Sequence, residues 1–468
     1  MNWTGLFALL ICSVLASAED ISLCKKCRCG EGVVDCTGLE LTRQFNGSEW
    51  TTDMQITEVK FDNNSLVYVR KFPTLTLTRL SFRHNKIIKI EDAAFKNLTN
   101  LTELDLSYNS LTYDNLKESV FKGNFLPDEY QPLHSLHILN LGSNALHTLH
   151  PDVFEHTPNI KVLILESNPI KFISSEMVTA MGNLPVLEVL DLSYAELTDL
   201  PENMLHTRKS IKYLNLTGNE MVKVPDALKH GKALEVLHLS ENPIAVIDAN
   251  SFEEELPNLR ELHMSNMPEL TYITAGALSK LTSLQELYLG HNNQLTSIHS
   301  KALSSLGDNG VMHWPPIVRL DLGHNNLPRV EKDLLENWRV LKYLNLEGNP
   351  WMCDCESQWM VTGLLPQVQK LLYNDSLKCV EPEEMRGRKL VDLEVRNYHM
   401  RCLDADGNHP EKDAKLLVGM LVGVLIAIPL TLAALFLFRK TRFGASFFSR
   451  GPADYSRAFY SRADTGDN

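Results

Sequence analysis

The sequence predicts an α/β solenoid in which a long parallel sheet lines one side. Three observations lead to this fold class. An eleven-residue phrase, L-x-x-L-x-L-x-x-N-x-L, recurs twelve times, mostly at intervals of 23 to 27 residues. Eight cysteines stand in two clusters, one on each side of the repeats, and a run of 23 uncharged residues follows the second cluster. We therefore expect a repeat protein with two disulfide-closed ends and one membrane-spanning helix.

The clearest copy of the phrase is LTELDLSYNSL at residues 101–111. Its leucines alternate, so they share one face of a strand and turn inward while the residues between them face solvent. Asn109 follows where the chain must turn, and its amide can bond backbone groups that would otherwise be buried unpaired. One repeat cannot bury its leucines alone, so neighbours must stack. The copies begin at residues 56, 77, 101, 136, 160, 187, 211, 234, 259, 284, 317 and 341.

This phrase and period resemble the leucine-rich repeat, and no other repeat class fits them. A phenylalanine precedes several phrases by six or seven residues, at Phe95, Phe154 and Phe252. That spacing is similar to the 24-residue type shared by Slit, Toll-type receptors and the small leucine-rich proteoglycans. The resemblance implies a leucine-rich repeat horseshoe with a parallel concave sheet, built from about twelve repeats over residues 56–351.

The asparagine of the phrase is missing in two copies, at Ala195 and near Met267. Either gap marks a local change of curvature or is simply tolerated. Two connections between phrases are longer than the rest and predict surface loops, at residues 113–132 and 306–316. Loops on a rigid scaffold often bind partners, but insertions of this kind are also tolerated without any function.

Composition and charge limit the classes of function. The chain has 468 residues, of which 44% are hydrophobic and 22% charged, as in ordinary globular proteins. Its net charge is −13, and the segment after residue 438 holds six Lys/Arg against three Asp, so the remainder is near −16. That acidity argues against nucleic acid as the main partner.

The amino-terminal segment predicts secretion and a cap. Residues 1–18 look like a signal peptide, because an apolar run precedes the small-residue site Ala-Ser-Ala. Residues 19–55 contain the spacing C-x2-C-x-C-x6-C, which resembles the N-terminal cysteine cap of extracellular leucine-rich repeat proteins. A cap is needed because a solenoid end exposes a sheet edge and a layer of leucines.

Four cysteines permit three pairings, and their spacing does not choose among them. Zinc is the competing interpretation of C-x-x-C, although a secretory leader favours disulfides. The family resemblance implies the pairs Cys24–Cys29 and Cys27–Cys36.

The motif NPWMCDC at 349–355 opens a second cysteine cluster, which resembles the C-terminal cap of the same family. We assign residues 352–402 to this cap. A segment at 357–372 has helix-like apolar spacing suited to covering the last repeat. The resemblance implies the pairs Cys353–Cys379 and Cys355–Cys402.

Residues 403–415 predict a polar stalk and residues 416–438 a transmembrane helix, since 23 uncharged residues can cross a bilayer. Basic residues follow the run and acidic residues precede it. The positive-inside rule therefore predicts a single-pass type I protein of the plasma membrane, with an extracellular N-terminus and a cytoplasmic tail at 439–468. Gly419 and Gly423 form G-x-x-x-G, which permits a homodimer through this helix, although small residues are common in membrane helices anyway.

Asn-x-Ser/Thr motifs predict glycan acceptors on the ectodomain. Asn215 stands between two inward leucines and should point outward from the middle of the sheet, where a glycan would push a protein partner toward one side. The acceptors outside the leader are Asn46, Asn63, Asn97, Asn100, Asn215 and Asn374.

Aligning the phrases places apolar and aromatic residues of adjacent repeats side by side on the outward face. An apolar stripe of that size favours a partner site. Valine and tyrosine are also common in strands that bind no partner, because both have a high strand propensity. The histidines suggest a pH-sensitive contact or a metal pair, or are simply solvated. The predicted partner-binding residues are Ile138, Val162, Ile164, Val189, Tyr213, Val236, His238, His263 and Tyr288.

The sequence contains none of the common nucleophile, zinc-protease, phosphate-loop or dinucleotide motifs. We therefore predict no enzymatic activity, no cofactor and no catalytic or metal-binding residue. The caps, repeats and single span resemble extracellular leucine-rich repeat receptors and adhesion proteins, which implies a receptor, co-receptor or adhesion protein that binds an extracellular or cell-surface protein.

Two alternatives stay open. The lone span and short basic tail also resemble the auxiliary gamma subunits of large-conductance potassium channels, which implies regulation of a membrane channel or receptor. The tail is too short for a Toll-type signalling domain, which suits a non-signalling Toll-like decoy in innate immunity.

Overall fold

The computed structural model describes residues 23–50, 55–126, 129–206, 210–307, 310–335, 340–368, 377–402 and 410–446. The predicted signal peptide, most of the predicted stalk, Asn374 and most of the predicted tail lie outside these ranges. The described residues fall into two compact units. The first unit holds the residues up to Cys353 together with Ser357–Tyr398, and the second holds Asp354–Glu356 and the residues from His399 onward.

A fourteen-stranded sheet runs through the first unit. Its first two strands, Arg28–Gly30 and Val33–Asp35, form an antiparallel pair in the N-terminal cap. Val33–Asp35 then pairs in parallel with the first repeat strand. All twelve phrases supply one parallel strand each, which confirms the predicted leucine-rich repeat solenoid. The repeat strands are Glu58–Lys60, Arg79–Ser81, Glu103–Asp105, Ile138–Asn140, Val162–Ile164, Val189–Asp191, Tyr213–Asn215, Val236–His238, Glu261–His263, Glu286–Tyr288, Arg319–Asp321 and Tyr343–Asn345.

Each repeat strand buries its central aliphatic residue, because alternate side chains point to opposite faces of a strand. Behind the strands, phenylalanines of successive turns pack on one another. The rings of Phe61 and Phe82 stack at 5.1 Å between centroids, and those of Phe95 and Phe121 at 6.1 Å. The three phenylalanines singled out in the sequence are all buried. The core is therefore a continuous column of aliphatic and aromatic side chains shared between neighbouring repeats.

The asparagines of the phrase bridge successive repeats. Asn144 donates from Nδ2 to the carbonyl oxygen of Leu141, three residues earlier, at 3.0 Å, and to that of Leu106, in the preceding repeat, at 3.1 Å. Its Oδ1 accepts from the amide of Leu111 at 3.0 Å. Each such side chain therefore satisfies buried backbone groups from two turns at once.

The two gaps in this asparagine series are bridged by the next repeat. At the first, Oδ1 of Asn219 accepts from the amides of both Ala195 and Leu197, at 3.1 and 2.9 Å. At the second, Oδ1 of Asn292 accepts from the amide of Met267 at 2.7 Å. The strands on either side keep their register. The gaps leave the sheet continuous because the following asparagine bonds the turn that lacks its own.

The residue just before the asparagine position has a positive φ in every repeat, which places it in the left-handed region. Most repeats use a side chain there, but two require glycine. A Cβ on Gly218 would collide with the ring of Tyr194, and one on Gly348 with the ring of His324. The residues of this turn position are Asn63, His84, Tyr108, Ser143, Ser167, Tyr194, Gly218, Glu241, Asn266, His291, His324 and Gly348.

Disulfides close both ends of the repeats. The structure joins Cys24 to Cys29 and Cys27 to Cys36 in the N-terminal cap, and Cys353 to Cys379 and Cys355 to Cys402 in the C-terminal cap. These are the pairs that the family resemblance implies. In the C-terminal cap, strand Trp351–Met352 pairs with Cys379–Glu381. A π-helical turn at Met360–Leu364 leads into the helix Leu365–Val368, and both bury apolar side chains as predicted for this segment.

The two long connections carry local structure of their own. The first contains the 3-10 helices Tyr113–Asn115 and Glu118–Phe121, followed by a hairpin of Asn124–Leu126 with Glu129–Gln131. The second forms a hairpin of Ser305–Leu306 with Met312–His313.

The remaining elements are short and lie between the strands of the long sheet or in the caps. Short strands are Tyr68–Val69, Lys89–Ile90, Val246–Ile247, Tyr272–Ile273 and Ser297–Ile298. Helices are Leu23–Lys26, Ser175–Gly182, Lys332–Leu335 and Leu390–Val395. Further 3-10 helices are Gly47–Trp50, Glu202–Met204, Asp226–His230, Cys355–Ser357 and Glu383–Met385.

The second unit contains one long helix, Pro410–Ser446. Its segment Ala414–Lys440 is 27 residues long and contains an 18-residue stretch with a mean hydropathy of 2.7, so it is long and apolar enough to cross a membrane. Pro429 lies inside this helix. The helix supports the predicted single span, and its orientation stays a prediction.

Candidate functional site

The outward side chains of the repeat strands form the solvent face of the long sheet. Strand register places Ile138 beside Val162, then Val189, Tyr213 and Val236 on successive strands. We call these five residues the apolar stripe. Each is half-buried rather than fully exposed, because strands ~4.8 Å apart let neighbouring side chains cover one another. The structure thus brings the predicted apolar residues into one unbroken row, and Ile164 lies on the same face opposite Asp191.

Planar side chains continue across the face beyond the apolar stripe. The rings of His238 and His263 stack at 3.9 Å with 7° between their planes, and those of His263 and Tyr288 at 4.1 Å with 9°. The guanidinium of Arg319 lies 5.9 Å from the ring centre of Tyr288 and 4.0 Å from that of Tyr343. We call this series the planar ladder; its members are Tyr213, His238, His263, Tyr288, Arg319 and Tyr343.

The sequence analysis named the first four members of the planar ladder and missed Arg319 and Tyr343. Both occupy the outward position just before the central leucine of their strands, so the aligned phrases already held a signal for them. What alignment does not give is the direction of each side chain. The structure shows that Arg319 leans toward both neighbouring tyrosines and so extends the series to the last repeat.

Two carboxylates hold the planar ladder in place. Glu261 Oε1 lies 2.7 Å from Nε2 of His263, and Glu286 Oε2 accepts a bond of 2.7 Å from the hydroxyl of Tyr288. The same Glu286 oxygen lies 3.6 Å from Nε of Arg319. Burial and the bond to Glu286 raise the pKa of Tyr288 well above its usual range. The phenol is therefore protonated near neutral pH and donates to Glu286.

His238 lies within the stack and is half-buried. Burial, and to a lesser degree the neighbouring His263, lowers its pKa to about 4. Because the two rings are parallel and 3.9 Å apart, their nitrogen lone pairs run side by side. They do not converge on one ion at the ~2.0–2.1 Å that a zinc–imidazole bond needs. Across the described ranges no group of three or more His, Cys, Asp or Glu side chains is arranged to hold a metal.

The pKa of His238 predicts a specific loss of stability in acid. Its folded-state pKa of about 4 lies below the ordinary value of 6.5, so the unfolded chain binds the proton more readily. The stability contributed by the neutral ring is complete above pH 6.5 and is lost progressively as the pH falls toward about 4. We expect His238→Phe, which keeps a ring in the stack but cannot titrate, to flatten the fall in unfolding temperature between pH 6.5 and 4.5.

The measurement is thermal unfolding of the full-length protein in nanodiscs across this pH range. The matched control is His134→Phe at an exposed position outside the strands, which should leave the acid slope as in wild type. Equal slopes for wild type and His238→Phe would contradict the assignment.

The predicted glycan acceptors differ in their surroundings. Asn63 and Asn100 are exposed, and so is Asn46, whose Oδ1 accepts from Arg70 at 3.1 Å. Asn97 is partly buried and donates to the carbonyl oxygen of Phe72 at 2.9 Å. The acceptors stay predictions, and Asn374 lies outside the described residues.

Asn215 lies on the solvent face of the sheet, as its place between two inward leucines predicts. Its Nδ2, the atom a glycan would modify, donates to Oδ2 of Asp191 at 3.0 Å, and its Oδ1 accepts from the amide of Thr217 at 3.1 Å. Strand register places this side chain beside His238 of the planar ladder.

Comparisons with known proteins agree with this architecture. A family model described as a leucine rich repeat matches residues 76–122, 134–181 and 232–295. The CD180 antigen of Mus musculus is 25% identical over 341 residues, covering 71% of this chain and 44% of that protein. Podocan of Mus musculus is 30% identical over 364 residues, covering 76% and 50%. The chain thus spans about half the length of these curated relatives.

Among solved structures, one similar chain comes from the Toll–Spatzle complex, described as a molecular hub in Drosophila development and innate immunity. It is 20% identical to this chain, covers 72% of it and 47% of its own length, and has a TM-score of 0.50. This likeness shows the fold.

Proposed function

The chain is a leucine-rich repeat protein, and from that premise we propose that it is a cell-surface recognition protein that binds a protein partner through the solvent face of its sheet. It acts in adhesion or as a ligand-binding receptor or co-receptor. The observation that carries this proposal is the unbroken series formed by the apolar stripe and the planar ladder, which together occupy nine consecutive repeat strands from Ile138–Asn140 to Tyr343–Asn345.

The packing of this series suits recognition. Tyrosine and arginine are enriched among the residues that dominate binding energy at interfaces. Stacking and the bonds to Glu261 and Glu286 already restrict the side chains, so little rotamer freedom remains to be lost on binding. A half-buried valine row beside them offers apolar area at the centre of a contact. The face therefore resembles a preorganised protein-binding surface more than a cleft for chemistry, and we propose no catalytic role.

We propose that the helix Ala414–Lys440 anchors the protein in the plasma membrane as a single span. Arg439, Lys440 and Arg442 follow its apolar core, which favours a cytoplasmic C-terminus and an extracellular repeat unit. The disulfides at both caps suit an oxidising, extracellular location.

A second candidate function rests on the same helix. An auxiliary subunit of a membrane channel or receptor would act through its span, whereas an adhesion protein, co-receptor or decoy would act through its sheet. Replacing the segment from residue 410 onward with a lipid anchor separates them. If the lipid-anchored protein still binds its partner and still supports adhesion, the repeats carry the function. If it still binds but no longer regulates a channel or receptor, the auxiliary role is supported.

The proposal predicts that Val189→Glu weakens partner binding. Val189 lies at the centre of the apolar stripe, between Val162 and Tyr213, and a carboxylate there would have to be desolvated in any complex. Full-length protein in nanodiscs is screened against a panel of secreted and cell-surface proteins, and captured partners are then titrated. We expect the variant to bind them at least ~10-fold more weakly.

The matched control is Val222→Glu, which makes the same change at a valine that is 69% exposed and lies outside the repeat strands. It should bind as wild type does. Unchanged binding by Val189→Glu, with an unfolding temperature equal to that of wild type, would overturn the use of this face.

A further inference from the structure

We propose that the C-terminal part of the solvent face, from His238 to Tyr343, binds a basic segment of the protein partner, with lysine or arginine side chains seated on Glu261 and Glu286. This inference rests on the proposed function and names the chemistry of the partner. Three observations support it: the uneven distribution of charge along the sheet, the geometry of these two carboxylates, and their bonds to side chains of the planar ladder.

The balance of acidic and basic groups on the solvent face differs between its two ends, because most of the basic groups lie in the first repeats. The positions compared are the two outward residues of each strand and the residue two places beyond the strand. In the first three repeats acidic and basic groups nearly balance. The acidic groups there are Glu58, Asp62, Glu103 and Asp105, and the basic groups are Lys60, Arg79 and Arg83.

The basic groups of the first three repeats are already engaged by their neighbours. Nζ of Lys60 lies 3.1 Å from Oε1 of Glu58, and Nε of Arg79 lies 3.5 Å from Oε2 of Glu103. This end of the face thus neutralises itself and has little charge left to offer a partner.

At the same positions the last five repeats carry four acidic groups and one basic group. Arg319 is the single Lys or Arg there, and it already lies beside Glu286 and between two tyrosines. The acidic groups are Glu261, Glu286, Asp321 and Glu347. A partner that covers this end must supply the missing positive charge, because carboxylates desolvated without a counter-charge would weaken the complex.

The two central carboxylates are positioned to receive it. The contacts to the planar ladder that involve these two carboxylates use Oε1 of Glu261 and Oε2 of Glu286, so each carboxylate has a second oxygen outside those contacts. Their side chains are 33% and 38% exposed, so a partner can reach them. Ammonium and guanidinium groups make short, charge-assisted bonds to such oxygens.

The carboxylates also contribute to the raised pKa values of two neighbouring tyrosines, after burial. The pKa of Tyr213 is raised by burial and then by Asp191 and Glu261, and that of Tyr288 by burial and then by Glu286. The ring edges of the planar ladder flank the carboxylates and provide apolar surface for the alkyl stems of lysine or arginine. The adjoining apolar stripe would receive the apolar residues of the same partner.

The test measures peptide binding to the full-length protein in nanodiscs of neutral phosphatidylcholine. The probes are two fifteen-residue peptides of alternating residues, one of arginine and leucine and one of glutamate and leucine. We expect the arginine peptide to bind and the glutamate peptide not to bind. The double variant Glu261→Gln/Glu286→Gln should weaken arginine-peptide binding at least 10-fold, and its salt dependence should become shallower.

The matched control, Glu58→Gln/Glu103→Gln, removes the same number of charges from the balanced end of the face and should change binding less than 3-fold. Equal weakening by both double variants would show only diffuse attraction to an acidic protein and would overturn the inference. Binding of the glutamate peptide as tight as that of the arginine peptide would do the same. Should the first double variant lower the unfolding temperature, the single variants Glu261→Gln and Glu286→Gln are compared instead, each expected to weaken binding at least 3-fold.

The variant Val189→Glu separates this inference from the proposed function. Suppose that Val189→Glu no longer binds the captured protein partner while Glu261→Gln/Glu286→Gln binds it with wild-type affinity. The partner then binds the face without contacting its acidic end, and only the inference fails. If neither variant changes capture of the partner, the proposed function fails as well.

Discussion

Replacing Asn292 with alanine is expected to destabilise the repeat unit by about 3 kcal/mol or more, one of the largest effects of any single polar substitution in the chain. Asn292 is fully buried. Its Nδ2 donates to the carbonyl oxygens of Met264 and Leu289 at 2.9 and 2.8 Å, and its Oδ1 accepts from the amide of Met267 at 2.7 Å. Alanine would leave three buried backbone groups without this partner, two of them in the turn that lacks an asparagine of its own.

Scanning calorimetry of the full-length protein in nanodiscs measures the loss. The matched control is Asn258→Ala, in which an exposed asparagine also donates to one backbone carbonyl, that of Lys232, at 2.8 Å. Water replaces that bond, so the control should cost less than about 1 kcal/mol. If both variants lost the same free energy of unfolding, burial would not explain how much the asparagines of the phrase stabilise the fold.

Loss of the Cys353–Cys379 disulfide is expected to have an effect of similar size. The bond closes a loop with a sequence separation of 26 residues, for which the chain-entropy relation gives about 3.5 kcal/mol. It also holds strand Trp351–Met352 against Cys379–Glu381, where the amide of Cys353 donates to the carbonyl of Glu381 at 2.7 Å. The double variant Cys353→Ala/Cys379→Ala should therefore uncover the apolar end of the last repeat as well as lower the unfolding temperature.

The other cap supplies the comparison. The Cys24–Cys29 bond has a sequence separation of only 5 residues, so the same relation gives about 2 kcal/mol for Cys24→Ala/Cys29→Ala. Calorimetry of both double variants, with binding of a hydrophobic dye to report exposed apolar surface, checks the order. A larger loss at the N-terminal pair would show that loop length does not govern these bonds.

The sequence predicted most of the architecture because the repeat phrase encodes it locally. Alternating leucines define both the strand and its inward face, so all twelve strands lie where the phrases place them. Once the strands are in register, the outward columns follow, which is why the apolar stripe from Ile138 to Val236 was predicted residue by residue. The uncharged run similarly predicted a helix long enough to span a membrane.

Other features could not be predicted, because they depend on side-chain direction across repeats that lie about 25 residues apart in the sequence. Whether Arg319 turns toward Tyr288 and Tyr343 or toward water is not encoded in either phrase. The half-burial of the apolar stripe likewise arises only when neighbouring strands cover one another. The sequence left open whether the asparagine gaps at Ala195 and Met267 change the curvature or are tolerated, and only the structure shows that bonds to the asparagine of the following repeat bridge them.

By itself, the sequence determined the repeats, their strands, the two cysteine clusters and the apolar span. Each of these features can be recognised from residues that lie close together in the sequence. Only the tertiary structure decided which outward groups meet. Glu261 and Glu286 are held beside His263, Tyr288 and Arg319 because the stacked strands bring these side chains together. Contacts between stacked turns depend on rotamers and on the ~4.8 Å spacing of strands, and no single repeat contains that information.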